Sequence, residues 1–428
     1  SICLCPSISL RMMEVEVGHQ NVLLIHSEGE YSAIGNQCTH YGAPLSKGVL
    51  SGTRVRCPWH GSCFNVKTGD LEEYPGIDCL FVVDDMCSRV PGDNRTVLLI
   101  GGGPASLVCA ETLRQENYTG RIIMVTREEL LPYDKTTLSK VMNVQSDSIL
   151  MRRMEFYHQH DIEVRLHKEA VSVDVEKKIV TFDDGSQQSY SQLLISTGCR
   201  LNPECLLIVS PLLKMLAEKN VKFYMNDSIT EIKGEKGKVK EVVLKSGVVL
   251  PADVLIIGIA SVSPINNTNR WDSFSLCYSI PSLLSKHMRT NVADAFSAGD
   301  VASFPLAMLK DQKVSVGHWQ MAQAQGRTAA LNMLNKQVEL KSIPFYWTVL
   351  LGQTFRYVGY GEGYTDVVLK WKREDTFLAF YIKDNEVVAA VSLNYDPAVS
   401  LVADRIASGK AISKVEAESE EISWLKLP

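Results

Sequence analysis

Two short segments near the start of the chain each carry one cysteine and one histidine. The first is Cys38-Thr39-His40 and the second, after sixteen intervening residues, is Cys57-Pro58-Trp59-His60. A [2Fe–2S] centre in which two cysteines bind one iron and two histidines bind the other requires this set of ligands. A chain that forms such a centre must fold so that the two segments meet. The expected metal ligands are Cys38, His40, Cys57 and His60.

Neighbouring residues favour a cluster over the alternatives. Gly42 and Gly61 leave room for the backbone to approach inorganic sulfide, and the Ser62 hydroxyl could contact the cluster and tune its potential. One alternative is a structural zinc site with two cysteines and two histidines, although zinc fingers usually pair cysteine with cysteine and histidine with histidine. The other alternative is that the four residues are unrelated.

The residues around these loops have the pattern of a small all-β domain. Residues 22–25 form an apolar run, and residues 27–30 are a hairpin signal before the next strand. With its loops at residues 38–45 and 57–62, the segment resembles Rieske ferredoxin-like domains without the loop disulfide, typically the lower-potential type. We expect the iron-bound histidines to lie at the surface, where they could pass electrons to a docked partner.

A glycine-rich loop, Gly101-x-Gly103-x-x-Ser106, lies between a predicted buried strand at residues 96–100 and a predicted helix at residues 105–115. The glycines allow a tight turn and let the backbone reach a pyrophosphate at the helix N-terminus, where N–H groups favour anions. Because Ser106 stands where glycine or alanine is usual, we expect slightly looser helix–strand packing. The alternative is a glycine-rich turn in an apolar α/β core that binds no ligand.

Later segments resemble, in order, the FAD-contacting motifs of two-dinucleotide-binding flavoproteins. Residues 194–198 resemble the end of the strand that lies beside the FAD. Asp300 resembles the aspartate that accepts a hydrogen bond from the ribityl chain, and Lys140 resembles a lysine near the flavin. His318-Trp319 opens a predicted helix over residues 317–334, whose N-terminal dipole would face the flavin ring. The candidate FAD-binding residues are Gly101, Gly103, Pro104, Ala105, Arg127, Lys135, Lys140, Thr197, Gly198, Asp300, His318 and Trp319.

The chain departs from this flavoprotein pattern at two places. Thr126-Arg127 follows the second strand, where an acidic residue usually binds the ribose. Such enzymes also carry a second glycine-rich motif for NAD(P)H, and here only residues 199–211 separate the Thr197-Gly198 strand from the next predicted helix at residues 212–220. A βαβ unit needs about 30 residues. We therefore expect a truncated NAD-binding part, produced by a shortened transcript or gene model.

Further strands complete the predicted pattern. Before residue 344 they are predicted at residues 121–125, 171–175, 179–182, 193–196, 221–225, 239–245, 254–259 and 295–298. From residue 344 onward, runs at residues 367–371, 377–382 and 387–391 predict a mostly antiparallel unit.

Over most of residues 14–428 the chain resembles the Rieske-bearing branch of the apoptosis-inducing factor family, in the FAD-dependent pyridine nucleotide-disulfide oxidoreductase superfamily. The likeness includes Pro344-Phe345-Tyr346-Trp347 and residues 359–366; residues 262–285 follow the pattern poorly. It implies a multidomain fold: an all-β Rieske domain, an α/β two-dinucleotide-binding flavoprotein fold with a truncated NAD-binding part, and a C-terminal α+β domain. The expected boundaries are 1–90 for the Rieske domain, 94–204 and 264–338 for the FAD-binding domain, 205–263 for the NAD(P)H-binding remnant, and 339–428 for the C-terminal domain.

The resemblance implies an oxidoreductase that passes electrons from NAD(P)H through FAD to the [2Fe–2S] cluster, and then to an unknown acceptor protein or small molecule. In the family, the counterpart of Lys140 pairs with a glutamate from the segment missing here, so hydride delivery to this chain is in doubt. The first alternative is a catalytically impaired, cofactor-binding interaction protein. The second is a zinc-stabilised scaffold. No catalytic residue is assigned from the sequence.

Composition limits the remaining classes. The net charge of −5 and a pI of about 6.0 argue against a general nucleic-acid binder. No apolar run reaches the roughly 18 residues of a transmembrane helix. The eleven cysteines are odd in number and thinly spread, which argues against a disulfide scaffold. We therefore expect a reducing, intracellular location, either cytoplasmic or mitochondrial.

Overall fold

The computed structural model describes residues 11–17, 20–76, 78–80, 86–139, 141, 143–198, 217–225, 227–235, 238–255, 284–373, 375–420 and 425. The chain divides into two compact units. One consists of Ser1–Gly198 together with Thr268–Pro428, and the other of Cys199–Asn267.

Two antiparallel sheets form the first part of the larger unit. The first contains β1 (Met12–Val17), β2 (Gln20–Ser27) and β3 (Glu30–Gly35), and the second contains β4 (Val49–Ser51), β5 (Arg54–Arg56), β6 (Cys63–Asn65) and β7 (Leu71–Glu73). Both sheets contribute to one apolar core, in which Leu23 and Phe64 are fully buried. Cys38 and Cys57 belong to this same core, so burial of apolar surface anchors both cysteine-bearing loops.

A five-stranded parallel sheet lies at the centre of the larger unit. In spatial order its strands are β10 (Ile162–Arg165), β9 (Arg121–Val125), β8 (Thr96–Ile100), β14 (Gln192–Ile195) and β18 (Ala295–Ser297). The inner strands β8 and β9 are nearly continuous apolar runs because both faces of the sheet are covered there, whereas the edge strand β10 also carries Glu163 and Arg165.

Helices cover one face of this sheet and a smaller sheet covers the other. The helices are α1 (Pro104–Gln115), α2 (Met154–Gln159) and α3 (Trp319–Met333), and the smaller sheet consists of β11 (Ala170–Asp174), β12 (Ile179–Phe182) and β13 (Gln187–Ser189). Phe182 and Val180 pack in one core with the central sheet. Helices α1 and α3 cross so closely that a Cβ at Gly326 would lie 2.2 Å from the carbonyl oxygen of Ala105.

The last part of the larger unit begins with a hairpin, β19 (Ser303–Leu306) and β20 (Gln312–Ser315), ahead of the C-terminal domain. That domain is an antiparallel sheet with the spatial order β21 (Phe345–Leu350), β22 (Gln353–Gly359), β25 (Glu386–Leu393), β24 (Thr376–Lys383) and β23 (Asp366–Arg373). Helices α4 (Ala398–Ala407) and α5 (Lys414–Glu418) follow it. Phe345 and Phe380 of the sheet form one core with Val399 and Val402 of α4.

The smaller unit, as far as it is described, contains one antiparallel sheet of β15 (Ile229–Glu235), β16 (Lys238–Leu244) and β17 (Val249–Pro251). Every residue of β15 is exposed. In β16, Val242 and Leu244 are buried.

The strand predicted at residues 221–225 is wrong. Residues 221–224 have no regular secondary structure, residue 225 lies in a turn, and all five side chains are exposed. A strand is stable only with a neighbouring strand to accept its hydrogen bonds, and no described strand pairs with this segment. The predicted helix at residues 212–220 is described only from residue 217, where residues 217–218 are helical. Residues 256–259 of another predicted strand, and most of residues 262–285, lie outside the described residues.

Substitution of Gly326 tests the close crossing of α1 and α3. In Gly326→Ala the new methyl group would meet the Ala105 carbonyl, and the helices must separate. Overpacking of this kind costs about 1–3 kcal/mol, more than the gain of up to about 1 kcal/mol in helix propensity. Urea denaturation should therefore show a lower free energy of unfolding, whereas Arg327→Ala in the same helix should leave it nearly unchanged. Equal stability of Gly326→Ala and the parent would contradict the crossing described.

Candidate functional site

Each cysteine-bearing loop is a tight hairpin closed by backbone hydrogen bonds. In the first loop the Cys38 N–H donates to the Ala43 carbonyl at 2.9 Å, and the Gly42 N–H donates back to the Cys38 carbonyl at 2.8 Å. In the second, the Cys57 N–H donates to the Ser62 carbonyl at 2.8 Å. Gly42 and Gly61 adopt φ values of 72° and 79°, which glycine reaches without strain. The two loops are therefore built alike, and each turns its cysteine and histidine in one direction.

The two loops meet through their histidines. The Nδ1 atoms of His40 and His60 lie 2.9 Å apart. Two nitrogens bound to one metal at about 2.0–2.1 Å and at right angles would stand about 3 Å apart. Cys38 and Cys57 hydrogen-bond to each other through their thiols. The donor set thus separates into a nitrogen pair and a sulfur pair, which fits a two-iron centre with one pair on each iron.

The zinc alternative requires four ligands around one ion. Within the part of the chain that the structure describes, no group of three or more His, Cys, Asp or Glu side chains is arranged around a single metal position.

Hydrogen bonds and burial shift the pKa values of the two thiols in opposite directions. The pKa of Cys38 falls to about 7, because its sulfur accepts hydrogen bonds from the Cys57 thiol, from the His40 and Tyr41 N–H groups and from the Ser62 hydroxyl. The pKa of Cys57 rises well above its usual range, because its thiol donates to Cys38 and is buried. Ser62 is fully buried and also accepts a hydrogen bond from the Gly76 N–H at 3.0 Å. The predicted contact of its hydroxyl with the sulfur ligands is present.

The expectation of surface histidines is wrong for His60, which is buried at 7% exposure, whereas His40 is half-buried and keeps some exposure to solvent. Burial lowers the pKa of His40 to about 4 and that of His60 to about 2. The covering group is Trp347 of β21, whose ring lies 4.9 Å from the His60 ring and 5.5 Å from the His40 ring, measured between centroids. The histidine edge therefore faces the C-terminal domain rather than water.

Buried polar contacts fix the second loop to helix α4. The Ser400 hydroxyl donates to the carbonyl of Cys57 at 3.2 Å. The buried Arg56 guanidinium lies 2.8 Å from Glu73 and 3.6 Å from Asp404. Buried charges are stable only when they are paired, so these contacts hold the loop in one position on the helix. Beside them, a Cβ at Gly61 would lie 2.8 Å from the Phe345 ring.

The first loop contacts the segment that the sequence assigns to FAD. The Tyr41 hydroxyl donates to Asp134 at 3.0 Å, and the Tyr41 ring packs on His40 at 4.1 Å. Arg152 joins the same parts of the chain, since it lies 2.7 Å from Asp78 and 2.7 Å from Glu111 of α1. The loops thus sit where the N-terminal sheets, the parallel-sheet domain and the C-terminal sheet meet.

The glycine-rich loop between β8 and α1 has the shape of a phosphate cradle. Gly101 has a φ of 129°, and a Cβ there would lie 2.1 Å from the carbonyl oxygen of Ser196, so only glycine fits. Around Gly103 a Cβ would meet nothing within 4 Å, which leaves open space at the helix N-terminus. The first turn of α1 has neither a side-chain cap nor an acidic residue, so its N–H groups are suited to an anion. These features fit a dinucleotide.

Ser106 does not loosen the packing here, contrary to expectation. Its side chain is fully buried, and its hydroxyl lies 2.6 Å from that of Ser196. The Ser196 hydroxyl in turn donates to the Ile100 carbonyl at 3.1 Å. A hydroxyl that finds a buried partner joins α1 to the strands β8 and β14 by hydrogen bonds, which a glycine or alanine could not do.

Asp300 lies near the N-terminus of α3. A Cβ at Gly317 would lie 3.6 Å from the Asp300 carboxyl carbon. His318 is the N-cap residue of α3, and its Nδ1 is buried with no hydrogen-bond partner among the described residues. Burial lowers the pKa of His318 to about 3. An orphaned ring nitrogen beside a helix N-terminus fits the edge of a bound polar group.

Other predicted FAD residues lie around this cradle or apart from it. Thr197 and Gly198 follow β14, and Pro104 and Ala105 open α1. Arg127 and Lys135 are exposed and pair with carboxylates, Arg127 at 3.8 Å from Glu169 and Lys135 at 3.1 Å from Glu128. Trp319 is half-buried as the first residue of α3, and Lys140 lies outside the described residues.

Four residues of this site were not identified from the sequence as site residues. They are Trp347, Arg356, Ser400 and Asp404, all from the C-terminal domain. Trp347 stood in a segment noted only for its family resemblance, and the others belong to no motif. The sequence does carry one indication for Arg356, because a basic residue within an otherwise apolar strand needs a buried partner.

Family models match nearly the whole chain. The Rieske [2Fe-2S] domain matches residues 2–86, the pyridine nucleotide-disulphide oxidoreductase model matches residues 95–208 and 208–326, and the reductase C-terminal model matches residues 345–426. No described helix is long and apolar enough to cross a membrane.

Curated relatives and solved structures agree with these models. Apoptosis-inducing factor 3 of Homo sapiens is 38% identical over 97% of this chain and 86% of its own length. Rubredoxin-NAD(+) reductase of Pseudomonas putida is 22% identical over 70% of this chain and 95% of its own length. The putidaredoxin reductase–putidaredoxin covalent complex matches with a TM-score of 0.70 and 19% identity, over 78% of this chain and 98% of that one. A ferredoxin reductase from Rhodopseudomonas palustris matches with a TM-score of 0.67 and 21% identity, over 78% and 100%.

These matches confirm the predicted fold class: a Rieske domain, a flavoprotein α/β fold and a C-terminal reductase domain. The protein is an FAD- and [2Fe–2S]-containing oxidoreductase that passes electrons from NAD(P)H through FAD to a Rieske cluster and on to an acceptor. The chain belongs to the Rieske-bearing branch of the apoptosis-inducing factor family, within the pyridine nucleotide-disulphide oxidoreductases.

Proposed function

We propose that this chain holds both redox centres in one rigid unit and moves electrons between them internally. Cys38 and Cys57 bind one iron of the cluster, and His40 and His60 bind the other. The FAD lies along the cradle formed by Gly101, Gly103 and the N-terminus of α1. The domain boundaries follow the five segments given above, with residues 205–263 as the NAD(P)H-binding remnant.

One observation carries the proposal: a single indole ring links the two sites. The centroid of the Trp347 ring lies 4.9 Å from that of His60, with the rings tilted by 47°, and 5.1 Å from that of His318, in an edge-on arrangement. FAD, when bound, accepts a hydride and releases single electrons, and the cluster accepts one electron at a time. The conjugated rings of His318, Trp347 and His60 form a contiguous path between the N-terminus of α3 and the ligand loops.

The residues at the flavin end of this path prepare a site for negative charge. The N-terminal N–H groups of α3 have neither a side-chain cap nor an acidic residue in the first turn to satisfy them. The helix dipole adds a partial positive charge there. With its lowered pKa, His318 is neutral at physiological pH and can act as a hydrogen-bond donor or acceptor without a charge of its own.

Two comparisons support an internal deletion in the NAD-binding part. The alignment with human apoptosis-inducing factor 3 spans 520 positions, 92 more than the 428 residues of this chain, so at least that many relative residues have no counterpart here. The match to the oxidoreductase model is interrupted at residue 208, where one matched segment ends and the next begins. Residue 208 falls in the region where the sequence lacks a second glycine-rich motif.

The described part of the smaller unit exposes many large apolar side chains. Nine of them are exposed: Val221, Phe223, Tyr224, Met225, Ile229, Ile232, Val248, Val249 and Val254. Exposed apolar side chains in such number often mark a surface that another part of a protein or a partner covers. We therefore propose that NAD(P)H binds this chain weakly and that electrons enter the FAD slowly from it. A cofactor-binding interaction protein remains the second candidate, because the same exposed surface could serve a partner.

The acceptor is proposed to be a small redox protein or small molecule that contacts the cluster away from Trp347. Trp59, which is 37% exposed, lies 6.4 Å from the His60 ring, and Tyr41, which is 50% exposed, lies 5.5 Å from it. These two aromatic side chains are the solvent-facing contacts of the histidine pair. The names of related reductases refer to small redox proteins of this kind, rubredoxin in one and ferredoxin in another.

Removal of one ligand tests the cluster assignment. Cys57→Ser should abolish the absorption and EPR signal of the [2Fe–2S] centre, because the softer thiolate is lost from one iron. Bound FAD should remain, since its cradle belongs to the parallel-sheet domain. Cys63→Ser, at a buried cysteine outside the ligand pair, is the matched control and should retain the cluster. Loss of both cofactors in Cys57→Ser would contradict the separation of the two sites.

Replacement of the bridging indole tests the internal path. In Trp347→Leu we expect cluster reduction after rapid photoreduction of the flavin to slow by about tenfold, equivalent to about 1.4 kcal/mol in the barrier. Time-resolved absorption after the photoreducing flash measures this rate, and EPR identifies the reduced cluster. Trp59→Leu, which removes the exposed indole on the other side of His60, should leave it unchanged. Equal rates in the parent and Trp347→Leu would exclude this route.

Anaerobic titration tests whether this chain still accepts a hydride. NADH should bleach the flavin slowly and incompletely, while dithionite should reduce both centres fully, since dithionite needs no nucleotide site. Rapid bleaching of the flavin at stoichiometric NADH would contradict the proposed weak binding of NAD(P)H. No bleaching at saturating NADH and NADPH would favour the interaction protein.

A further inference from the structure

Arg356 places a buried positive charge beside the ligand loops. It lies in β22 directly opposite Trp347 of β21, so both side chains project from the same face of the C-terminal sheet. That face covers His40 and His60 through the Trp347 ring. The buried Arg356 side chain therefore lies on the same face of the sheet as the ring that packs on both histidines.

The charge of Arg356 is poorly compensated. The residue is 3% exposed, and its carboxylate partner Asp396 is 3.5 Å away, longer than the 2.7–2.9 Å of a charge-assisted hydrogen bond. One terminal nitrogen donates to the carbonyl of Phe355 at 3.0 Å, and Nε has no hydrogen-bond partner among the described residues. The hydroxyl of Ser392, opposite Arg356 on β25, likewise has none within that part of the chain.

A buried guanidinium with incomplete pairing is costly and needs a compensating charge. Two ferric irons, two sulfides and two thiolates sum to zero net charge, and one added electron leaves the centre with one negative charge. A fixed positive charge nearby therefore stabilises the reduced form over the oxidised form. In a region shielded from water this interaction is stronger than at the surface, because solvent screens it less.

We propose that Arg356 is a positioning residue that raises the reduction potential of the cluster and so draws electrons from the flavin toward it. The inference rests on the proposed ligands. Asp396 opposes this effect, and its distance from the guanidinium sets how much positive charge the cluster experiences. The C-terminal domain thereby adjusts a centre of the disulfide-free type, which otherwise has a low potential.

The test is an EPR-monitored redox titration of the full-length chain with its cofactors. Arg356→Met keeps most of the side-chain volume and removes the charge, so the equilibrium constant for cluster reduction should fall by at least tenfold. For a one-electron couple this is a shift of 59 mV to lower potential. Arg356→Lys keeps the charge and should shift the potential by less than half as much.

Two further variants separate a charge effect from a structural one. Asp396→Asn removes the opposing carboxylate and should shift the midpoint potential upward, which a loosened fold would not do. Lys67→Met removes an exposed cation of the Rieske domain, paired with Glu30 at 2.9 Å, and should leave the potential unchanged because water screens that charge.

Each failure has its own meaning. A parent protein without a [2Fe–2S] signal would overturn the proposed function. A parent with the signal, in which Arg356→Met and Asp396→Asn both keep the parent potential, would overturn this inference alone. Should Arg356→Met fold poorly, the upward shift in Asp396→Asn and the small shift in Arg356→Lys decide the question.

Discussion

The contact of the Trp347 ring with His40 and His60 governs how this protein can use its two centres. It covers the histidine edge, which in an isolated cluster domain would face water, and it brings that edge within reach of His318 at the start of α3. Removing water from the edge strengthens every fixed charge nearby. For this reason the same contact that forms the proposed path between the sites would also strengthen the proposed effect of Arg356 on the cluster.

A single indole ring cannot hold two domains in place, so the contact made by Trp347 depends on the polar contacts around it. Ser400 binds the carbonyl of Cys57, and Arg56 joins Glu73 to Asp404 in a buried network. Such networks add little net stability, because desolvation offsets their attraction, but they disfavour any other arrangement of the same surfaces. These contacts fix the Rieske domain in one orientation on helix α4, so the proposed internal electron transfer would need no diffusive encounter.

Features carried by consecutive residues were predictable from the sequence. The ligand loops are two tight hairpins, each set by a glycine with positive φ, and the cradle at Gly101 requires a residue without a Cβ. Strand β9 and strand β12 lie where periodicity placed them. Contacts between segments far apart in sequence were not predictable. The opposition of Arg356 to Trp347 depends on strand register, and the link from Ser400 to Cys57 joins residues 343 positions apart. The prediction of exposed histidines failed at His60 for this reason, since nothing near His60 in the sequence announces the sheet that covers it.

The proposed deletion falls in a connection between two strands, outside the residues of the proposed flavin cradle. Strands β14 and β18 are adjacent and parallel in the central sheet, although residues 196–294 separate them in the chain. The pairing of two parallel strands fixes their register and the handedness of the connection between them, but not the length of that connection. A long insertion between β14 and β18 can therefore be shortened without disturbing their pairing. The cradle after β8, the aspartate after β18 and the helix α3 all belong to the part that remains. If the connection is shortened as proposed, the loss falls on the part that would bind NAD(P)H, while the proposed FAD cradle, the cluster loops and the Trp347 contact between them lie outside it.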